Sequence, residues 1–372
     1  MKIQPLRVLA ALVPLVAQPV LAQITQRVST SSAGDQSDSH SVFPSVSGDG
    51  RFVAFSSHAS NLVAGDSNNA SDVFVHDRST GTTTRVSVDS SGAQGTGPYP
   101  GPLGAYRPAI SDDGRYVAFE SYFTNLVPGD TNKSLDIFVH DRLVGRTTRA
   151  SVNLDGVQGN NLSRAAGISA DGRWVVFSSA ATNLVPDDIN GVYDIFIHDR
   201  YTASTSLASV STIGTQGNGD SWFPAVSADG RWTVFTSRAS NLVPGDTNGF
   251  ADVFVHDRQT HSTRRVSVDS VGAQGNNYSP YAVSSISADG RYASFLSHAS
   301  NLVPNDTNGS VDVFVHDTLT GTTSRVSVGP AGAQGNSHSA SPPSISHDGR
   351  FVAFGSAASN LVSGDTNGVP DA

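Results

Sequence analysis

The chain has 372 residues, of which 37% are hydrophobic and 15% charged, and its formal net charge is −9. Glu120 is the only glutamate, and Lys2 and Lys133 are the only lysines, so the residues that usually cover helix surfaces are nearly absent. Ser, Thr, Val, Asn, Asp and 36 glycines replace them, which predicts an all-β fold of short strands and turns. The lack of cysteine excludes disulfides and thiol nucleophiles, and the acidic charge disfavours nucleic acid as a partner.

The amino terminus has the pattern of a secretory signal. Lys2 and Arg7 precede an apolar run over residues 8–16, and Val20-Leu21-Ala22 fits a cleavage site. We therefore expect residues 1–22 to be removed and the mature protein to be exported, to the periplasm or the extracellular space. No later stretch is apolar for long enough to span a bilayer, so we expect no membrane insertion.

Residues 23–372 are predicted to form one domain of six repeats of about 60 residues. The tripeptide Asp-Gly-Arg marks the repeats, at Asp49, Asp113, Asp171, Asp229, Asp289 and Asp348. In the fourth repeat, four strand-like segments cover residues 223–227, 232–237, 252–257 and 263–268. This organisation predicts a six-bladed β-propeller with four antiparallel strands per blade; a linear solenoid is the alternative.

The ends of the chain bear on how a ring closes. The sixth repeat lacks the third-strand pattern after Asp371, whereas Arg27-Val28-Ser29 matches Arg325-Val326-Ser327 of a fourth strand. We predict a short last blade closed by the amino-terminal strand, with residues 25–31 paired to residues 351–356. An open ring that dimerises through its exposed edge is one alternative, and a fragment of a longer chain is another; with a closed last blade we expect a monomer.

The repeat resembles that of a known family. Residues 169–177, Ser-Ala-Asp-Gly-Arg-Trp-Val-Val-Phe, and residues 194–199, Asp-Ile-Phe-Ile-His-Asp, are similar to the two strand motifs of TolB-like propellers. The resemblance extends over all six repeats and implies the propeller fold. The family includes an envelope protein and the propellers that gate prolyl peptidases.

A second repeated motif, Asp-x-Asn-Gly-x-x-Asp, lies in the loop between the second and third strands. Hard oxygen ligands at positions one, three and seven of a glycine-bent loop suit calcium, and we predict weak calcium sites there. Two copies replace the glycine, with Asn69 and with Lys133. The predicted ligands are Asp66, Asn68 and Asp72; Asp130, Asn132 and Asp136; Asp188, Asn190 and Asp194; Asp246, Asn248 and Asp252; Asp306, Asn308 and Asp312; and Asp365, Asn367 and Asp371. The alternative is a structural turn capped by these side chains.

Other repeated polar residues have simpler interpretations. His-Asp pairs end the third strand of five blades, from His76-Asp77 to His316-Asp317, and five equivalent pairs favour structural bracing over catalysis. Arginines such as Arg115 and Arg173 are expected to pair with aspartates on the short-turn face.

The repeat is interrupted most clearly by the insertion over residues 96–107, which contains Tyr99, Tyr106 and Arg107. Aromatic side chains with one cation favour a contact surface, so these three are the predicted partner-binding residues. We expect a non-catalytic exported scaffold that binds a protein or a glycan through its long-loop face. A lactonase- or glycosidase-like enzyme with an axial metal and a structural envelope component are the alternatives.

Overall fold

The computed structural model describes residues 25–98, 103–279 and 284–372, which form an all-β fold with one short 3-10 helix, Pro330–Gly332. The predicted signal segment, residues 1–22, lies outside the described residues.

In the described residues, twenty-two strands form six antiparallel sheets, five of four strands and one of two. Blade one contains β1 Ser41–Val46, β2 Phe52–Ser57, β3 Asp72–Asp77 and β4 Thr82–Arg85. Blade two contains β5 Ala105–Ile110, β6 Tyr116–Ser121, β7 Asp136–Asp141 and β8 Arg146–Arg149. Blade three contains β9 Ser163–Ile168, β10 Trp174–Ser179, β11 Asp194–Asp199 and β12 Ser204–Leu207. Blade four contains β13 Ser221–Val226, β14 Trp232–Ser237, β15 Asp252–Asp257 and β16 Ser262–Arg265. Blade five contains β17 Ser285–Ile286, β18 Tyr292–Ser297, β19 Asp312–Asp317 and β20 Thr322–Arg325, and blade six contains β21 Ser344–Ile345 and β22 Val352–Ala353.

The middle two strands of each four-stranded blade form its core. Their central phenylalanines stack, as in Phe235 with Phe254, whose ring centroids are 5.9 Å apart, and both are fully buried. The first strands of successive blades contact one another, from β1 with β5 through to β17 with β21. They therefore surround a common axis, and the Asp-Gly-Arg turns lie together on one face.

The joint between blades is an aromatic ring packed on a glycine. A Cβ built on Gly230 of blade four would lie 1.9 Å from Cδ1 of Trp174 in blade three. Arg173 and Arg258 stack on that ring, with their Cζ atoms 4.7 and 3.6 Å from its centroid. Because Gly230 also has φ +72°, both the turn and the close contact require glycine. The same contact joins Phe52 to Gly114, Tyr116 to Gly172, Trp232 to Gly290 and Tyr292 to Gly349.

The predicted arginine–aspartate pairs are present on this face. Arg173 donates two hydrogen bonds to Asp199, from Nε to Oδ1 at 2.9 Å and from Nη2 to Oδ2 at 2.6 Å. Burial opposes ionisation of Asp199, yet these hydrogen bonds lower its pKa to about 2. Equivalent pairs are Arg51–Asp77, Arg115–Asp141, Arg231–Asp257 and Arg291–Asp317.

The His-Asp histidines brace the outer strands, as predicted. His140 Nδ1 lies 2.9 Å from the Thr147 hydroxyl, which donates to the Val88 carbonyl oxygen at 2.6 Å. Since that hydroxyl has one hydrogen, Nδ1 must be the donor to it, and burial lowers the pKa of His140 to about 4. The same histidine–threonine contact recurs at His76–Thr83, His198–Thr205, His256–Thr263 and His316–Thr323.

The predicted closure of the ring is wrong. Thr30 pairs with Gln36, and its carbonyl oxygen accepts a hydrogen bond from Thr83 in β4. The first described residues thus lie against blade one in the way that the segment at Val88 lies against Thr147 of blade two. The physical reason is that residues 30–36 have the pattern of this connector, which pairs with itself and then binds the following blade.

Blade six is short, as predicted, but a different residue pairs with its second strand. Ser356 pairs with Ser339 on one side and with Asp371 on the other. Within the described residues, blades one and six share no sheet. They line a common cavity of about 720 Å³, beside which Nδ1 of His347 lies 3.3 Å from Oδ2 of Asp112 in blade two.

The joint generates a prediction with a matched control. Gly230→Ala and Gly50→Ala both place alanine at φ near +71°, which costs about 1–2 kcal/mol. Only Gly230→Ala also overlaps an aromatic ring, because the atom nearest a Cβ on Gly50 is Nη1 of Arg78 at 3.8 Å. We expect a further loss of about 1–3 kcal/mol for Gly230→Ala in denaturant unfolding. Equal losses in the two variants would contradict this account of the joint.

Candidate binding sites in the aspartate loops and at the axis

The aspartate loops share one hydrogen-bonding pattern. In blade four, Asn248 Nδ2 donates to Asp252 Oδ2 at 2.9 Å and to the Gly275 carbonyl oxygen at 3.0 Å. Asn248 Oδ1 accepts from the Phe250 amide at 3.0 Å. All six loops contain the asparagine-to-aspartate bond, at Asn68–Asp72, Asn132–Asp136, Asn190–Asp194, Asn248–Asp252, Asn308–Asp312 and Asn367–Asp371. These contacts build the loop as a capped turn.

In four loops an arginine lies between the two aspartates. Arg265 Nη1 is 3.1 Å from Asp246 Oδ1 and 3.1 Å from Asp252 Oδ2. Equivalent contacts join Arg85 to Asp66 and Asp72, Arg149 to Asp130 and Asp136, and Arg325 to Asp306 and Asp312, at 3.0–3.5 Å. Burial nevertheless raises the pKa of Asp72 and Asp130 to about 6. Calcium at these loops stays a prediction, and it would have to displace a buried guanidinium.

The third loop differs because Leu207 takes the place of the arginine. Leu207 pairs with Phe196 in the register in which Arg265 pairs with Phe254. Burial, together with the neighbouring charge of Asp188, raises the pKa of Asp194 to about 6. Gln216 Nε2 donates to Asp188 Oδ1 at 3.3 Å. This loop therefore contains two aspartates without a guanidinium between them.

The sixth loop is more open: Asp371 is exposed and Asp365 is half-buried. Within residues 25–98, 103–279 and 284–372, no three His, Asp or Glu side chains are grouped closely enough to hold a metal ion.

The second candidate site lies at the axis. Four first strands contain a bulge, seen as a register shift against the second strand. The bulges place Phe43, Arg107, Ala165 and Phe223 in the left-handed region, with φ of 49–57°. Bulges re-aim side chains and are frequent beside functional sites. Three residue types occupy these four positions, with phenylalanine at two of them, whereas the residue before the bulge is different in each strand: Val42, Tyr106, Arg164 and Trp222.

One network connects three of these bulges. Cζ of Arg107 lies 4.6 Å from the ring centroid of Phe43, and its Nε lies 3.6 Å from Glu120 Oε1. The Ala165 amide donates to Glu120 Oε2 at 2.6 Å. Glu120 is buried, and burial raises its pKa. The only glutamate of the chain thus holds Arg107 in place beside the axis.

A cavity of about 350 Å³ adjoins this network, lined by Arg164, Trp222, Phe223 and Arg238. Trp222 pairs with Thr236 near the start of β13, at the end of the blade away from the Asp-Gly-Arg turn. The cavity therefore opens on the long-loop side. Arg164 stacks on Tyr193, with Cζ 4.5 Å from the ring centroid.

The predicted partner-binding residues lie close by. Tyr106 pairs with Glu120, its hydroxyl accepts from the Gly104 amide at 3.2 Å, and its ring centroid is 6.4 Å from that of His58. Arg107 belongs to the axial network, and Tyr99 lies outside the described residues. Sequence reasoning missed Glu120, Arg164, Trp222, Phe223 and Arg238, although all of these except Phe223, which matches Phe43, break the repeat at their positions.

Comparison with known proteins gives matches among solved structures. No protein-family model and no curated protein matches the sequence. TolB from Acinetobacter baumannii is 17% identical with a TM-score of 0.46, over 77% of this chain and 53% of that one. The chain thus spans about half the length of that TolB.

Two further structures have a TM-score of 0.50 and cover 86% of this chain. The β-propeller domain of the Trilobed protease from Pyrococcus furiosus, which has an open velcro topology, is 12% identical, with 78% of its chain covered. A prolyl endopeptidase, from a study of inter-domain dynamics in two such enzymes, is 14% identical, with 40% of its chain covered. The chain is therefore a β-propeller. The predicted resemblance to TolB and related propellers is confirmed at the level of the fold.

The third loop generates a prediction about stability and pH. Because the raised pKa of Asp194 makes the folded state bind a proton more tightly than the unfolded chain, the contribution of Asp194 to the free energy of unfolding falls as pH rises from about 4 to 6. Leu207→Arg supplies the missing guanidinium, and we expect a gain of about 1–3 kcal/mol at pH 7.5 and a smaller one at pH 4 in urea unfolding.

Arg265→Leu is the reverse change and should lose about 3–5 kcal/mol at pH 7.5, because it leaves Asp246 and Asp252 without their cation. A Leu207→Arg variant that gains nothing at pH 7.5 would refute the proposed repulsion.

Proposed function

We propose that this protein is an exported, non-catalytic binding scaffold that takes a protein or glycan ligand at the axial site, from the long-loop face. One observation carries the proposal: the residues that build the joints repeat from blade to blade, whereas Arg164, Trp222 and Arg238 at the axial cavity do not. Side chains that hold a fold together recur with the repeat, so the unique residues are those available for recognition.

The chemistry of the residues around the axial cavity suits binding. Arg107, Arg164 and Arg238 provide donors, and Trp222 and Phe223 provide aromatic surface beside the cavity. Aromatic residues and arginine dominate the energy of most recognition surfaces. Glu120 fixes Arg107 and leaves the other two arginines next to the cavity.

Export belongs to the same proposal and rests on the signal-like residues 1–22. No helix within the described residues is long and apolar enough to cross a membrane. Amino-terminal sequencing of the mature protein, expected to begin at Gln23, tests it.

The axial site is tested with two variants and a control. Tyr106→Ala and Trp222→Ala are expected to lose at least about tenfold in affinity for whichever member of a defined array of glycans and synthetic peptides binds the native protein. Tyr201→Ala removes a 65% exposed tyrosine outside the axial site and should bind normally. Folded axial variants that bind as well as the native protein would place the site elsewhere.

Calcium remains a second part of the proposal, and the third loop is the place to test it. Asp188, Asn190 and Asp194 offer oxygen ligands with no arginine between them. If calcium binds only the folded loop, 5 mM calcium should raise the melting temperature of the native protein by mass action. The rise should disappear in Leu207→Arg; identical melting of the native protein in calcium and in chelator would exclude the site.

A further inference from the structure

We propose that the ligand of the axial site is an acidic glycan, bound through the carboxylate of a uronic-acid unit. This inference rests on the proposed function and specifies its ligand. The arrangement that carries it is a cavity in which Arg164 and Arg238 accompany the aromatic surface of Trp222 and Phe223.

The first feature of the site is its positive charge. The chain has 32 acidic residues against 23 basic ones, yet three arginines, Arg107, Arg164 and Arg238, gather at this end of the axis. Glu120 accepts from the Ala165 amide and pairs with Arg107, and Arg164 and Arg238 both line the cavity. Their positive charge favours an anion there, and a guanidinium binds a carboxylate with two parallel hydrogen bonds.

The second feature of the site is its aromatic lining. Trp222 and Phe223 are adjacent in β13, half-buried, and line the cavity together. Such rings offer flat apolar surface with little conformational entropy to lose. A pyranose ring presents a flat face of C–H groups and, in a uronic acid, a carboxylate at its edge. A uronic acid can therefore stack its ring on an aromatic side chain while its carboxylate accepts hydrogen bonds from an arginine.

The backbone at the axis disfavours an extended peptide. A peptide that adds to a sheet needs a regular row of free amide and carbonyl groups. The first strands lack such a row, because each described bulge interrupts it and a proline without an amide hydrogen follows three of them, at Pro44, Pro108 and Pro224. Recognition at this edge must therefore use side chains, as it does for sugars.

The size of the cavity agrees with a short glycan segment. Its volume of about 350 Å³ lies at the small end of the roughly 300–1,000 Å³ typical of ligand pockets. One or two sugar rings fill such a space, with the remainder of the glycan extending over the long-loop face.

The test uses trigalacturonic acid, its methyl ester and a synthetic peptide that ends in a free carboxylate, titrated calorimetrically into the full-length protein. The acid should bind, and the ester about ten- to a hundredfold more weakly, because esterification removes the charge-assisted hydrogen bonds. Arg164→Gln combined with Arg238→Gln should reduce binding of the acid by a similar factor.

A matched control separates the site from net charge. Arg78→Gln combined with Arg146→Gln also removes two positive charges, from exposed positions on the short-turn side, and should leave binding unchanged. Equal loss in both double variants, equal binding of acid and ester, or binding of the peptide alone would overturn the proposed glycan. If no ligand of any class were sensitive to the axial variants, the proposed function itself would fail.

Discussion

An aromatic ring seated on a glycine of the next blade is the contact on which the rest of the architecture depends. The ring directly follows the Asp-Gly-Arg turn of its own blade, and the arginine of that turn stacks on it. The glycine of the same turn contacts the aromatic ring of the preceding blade. A side chain at the glycine would separate the blades. The spacing between blades, and with it the width of the axis, is thus fixed by a contact at the short-turn face.

The short-turn ends of the blades therefore hold the blades together, whereas the long-loop ends carry the residues that vary. At the Asp-Gly-Arg end, arginine, aspartate, aromatic ring and glycine are engaged with one another. At the other end, loops capped by asparagine support the ends of the first strands, where several residues, among them Tyr106, Arg164 and Trp222, differ from blade to blade. The bulges put those changing residues next to the axis.

The sequence predicted the strands well because the repeat shows each one five or six times, and a turn such as 228–231 has few alternative conformations. The predicted ring closure was wrong for a local reason. Residues 27–36 match both a fourth strand and the connector after it, and the hydrogen bond from Thr83 stabilises the connector conformation. The arginines in the aspartate loops were missed because Arg265 lies 13 residues from Asp252 and reaches it only through the register of β15 with β16. Glu120 and Trp222 were visible as exceptions to the repeat, but the position of each beside the axis depends on the packing of several blades.

The five equivalent joints make the seam between blades six and one the odd member of the set. Phe351 occupies the position of Trp174 yet is 64% exposed, and no aromatic ring from the described part of the chain covers Gly50. The five interfaces with the ring–glycine contact are therefore expected to be rigid, and the interface between blades six and one is expected to be the most easily deformed. Amide hydrogens beside the seam should therefore exchange fastest, and strain imposed by a ligand wedged into the axis would be absorbed there instead of being shared among the blades.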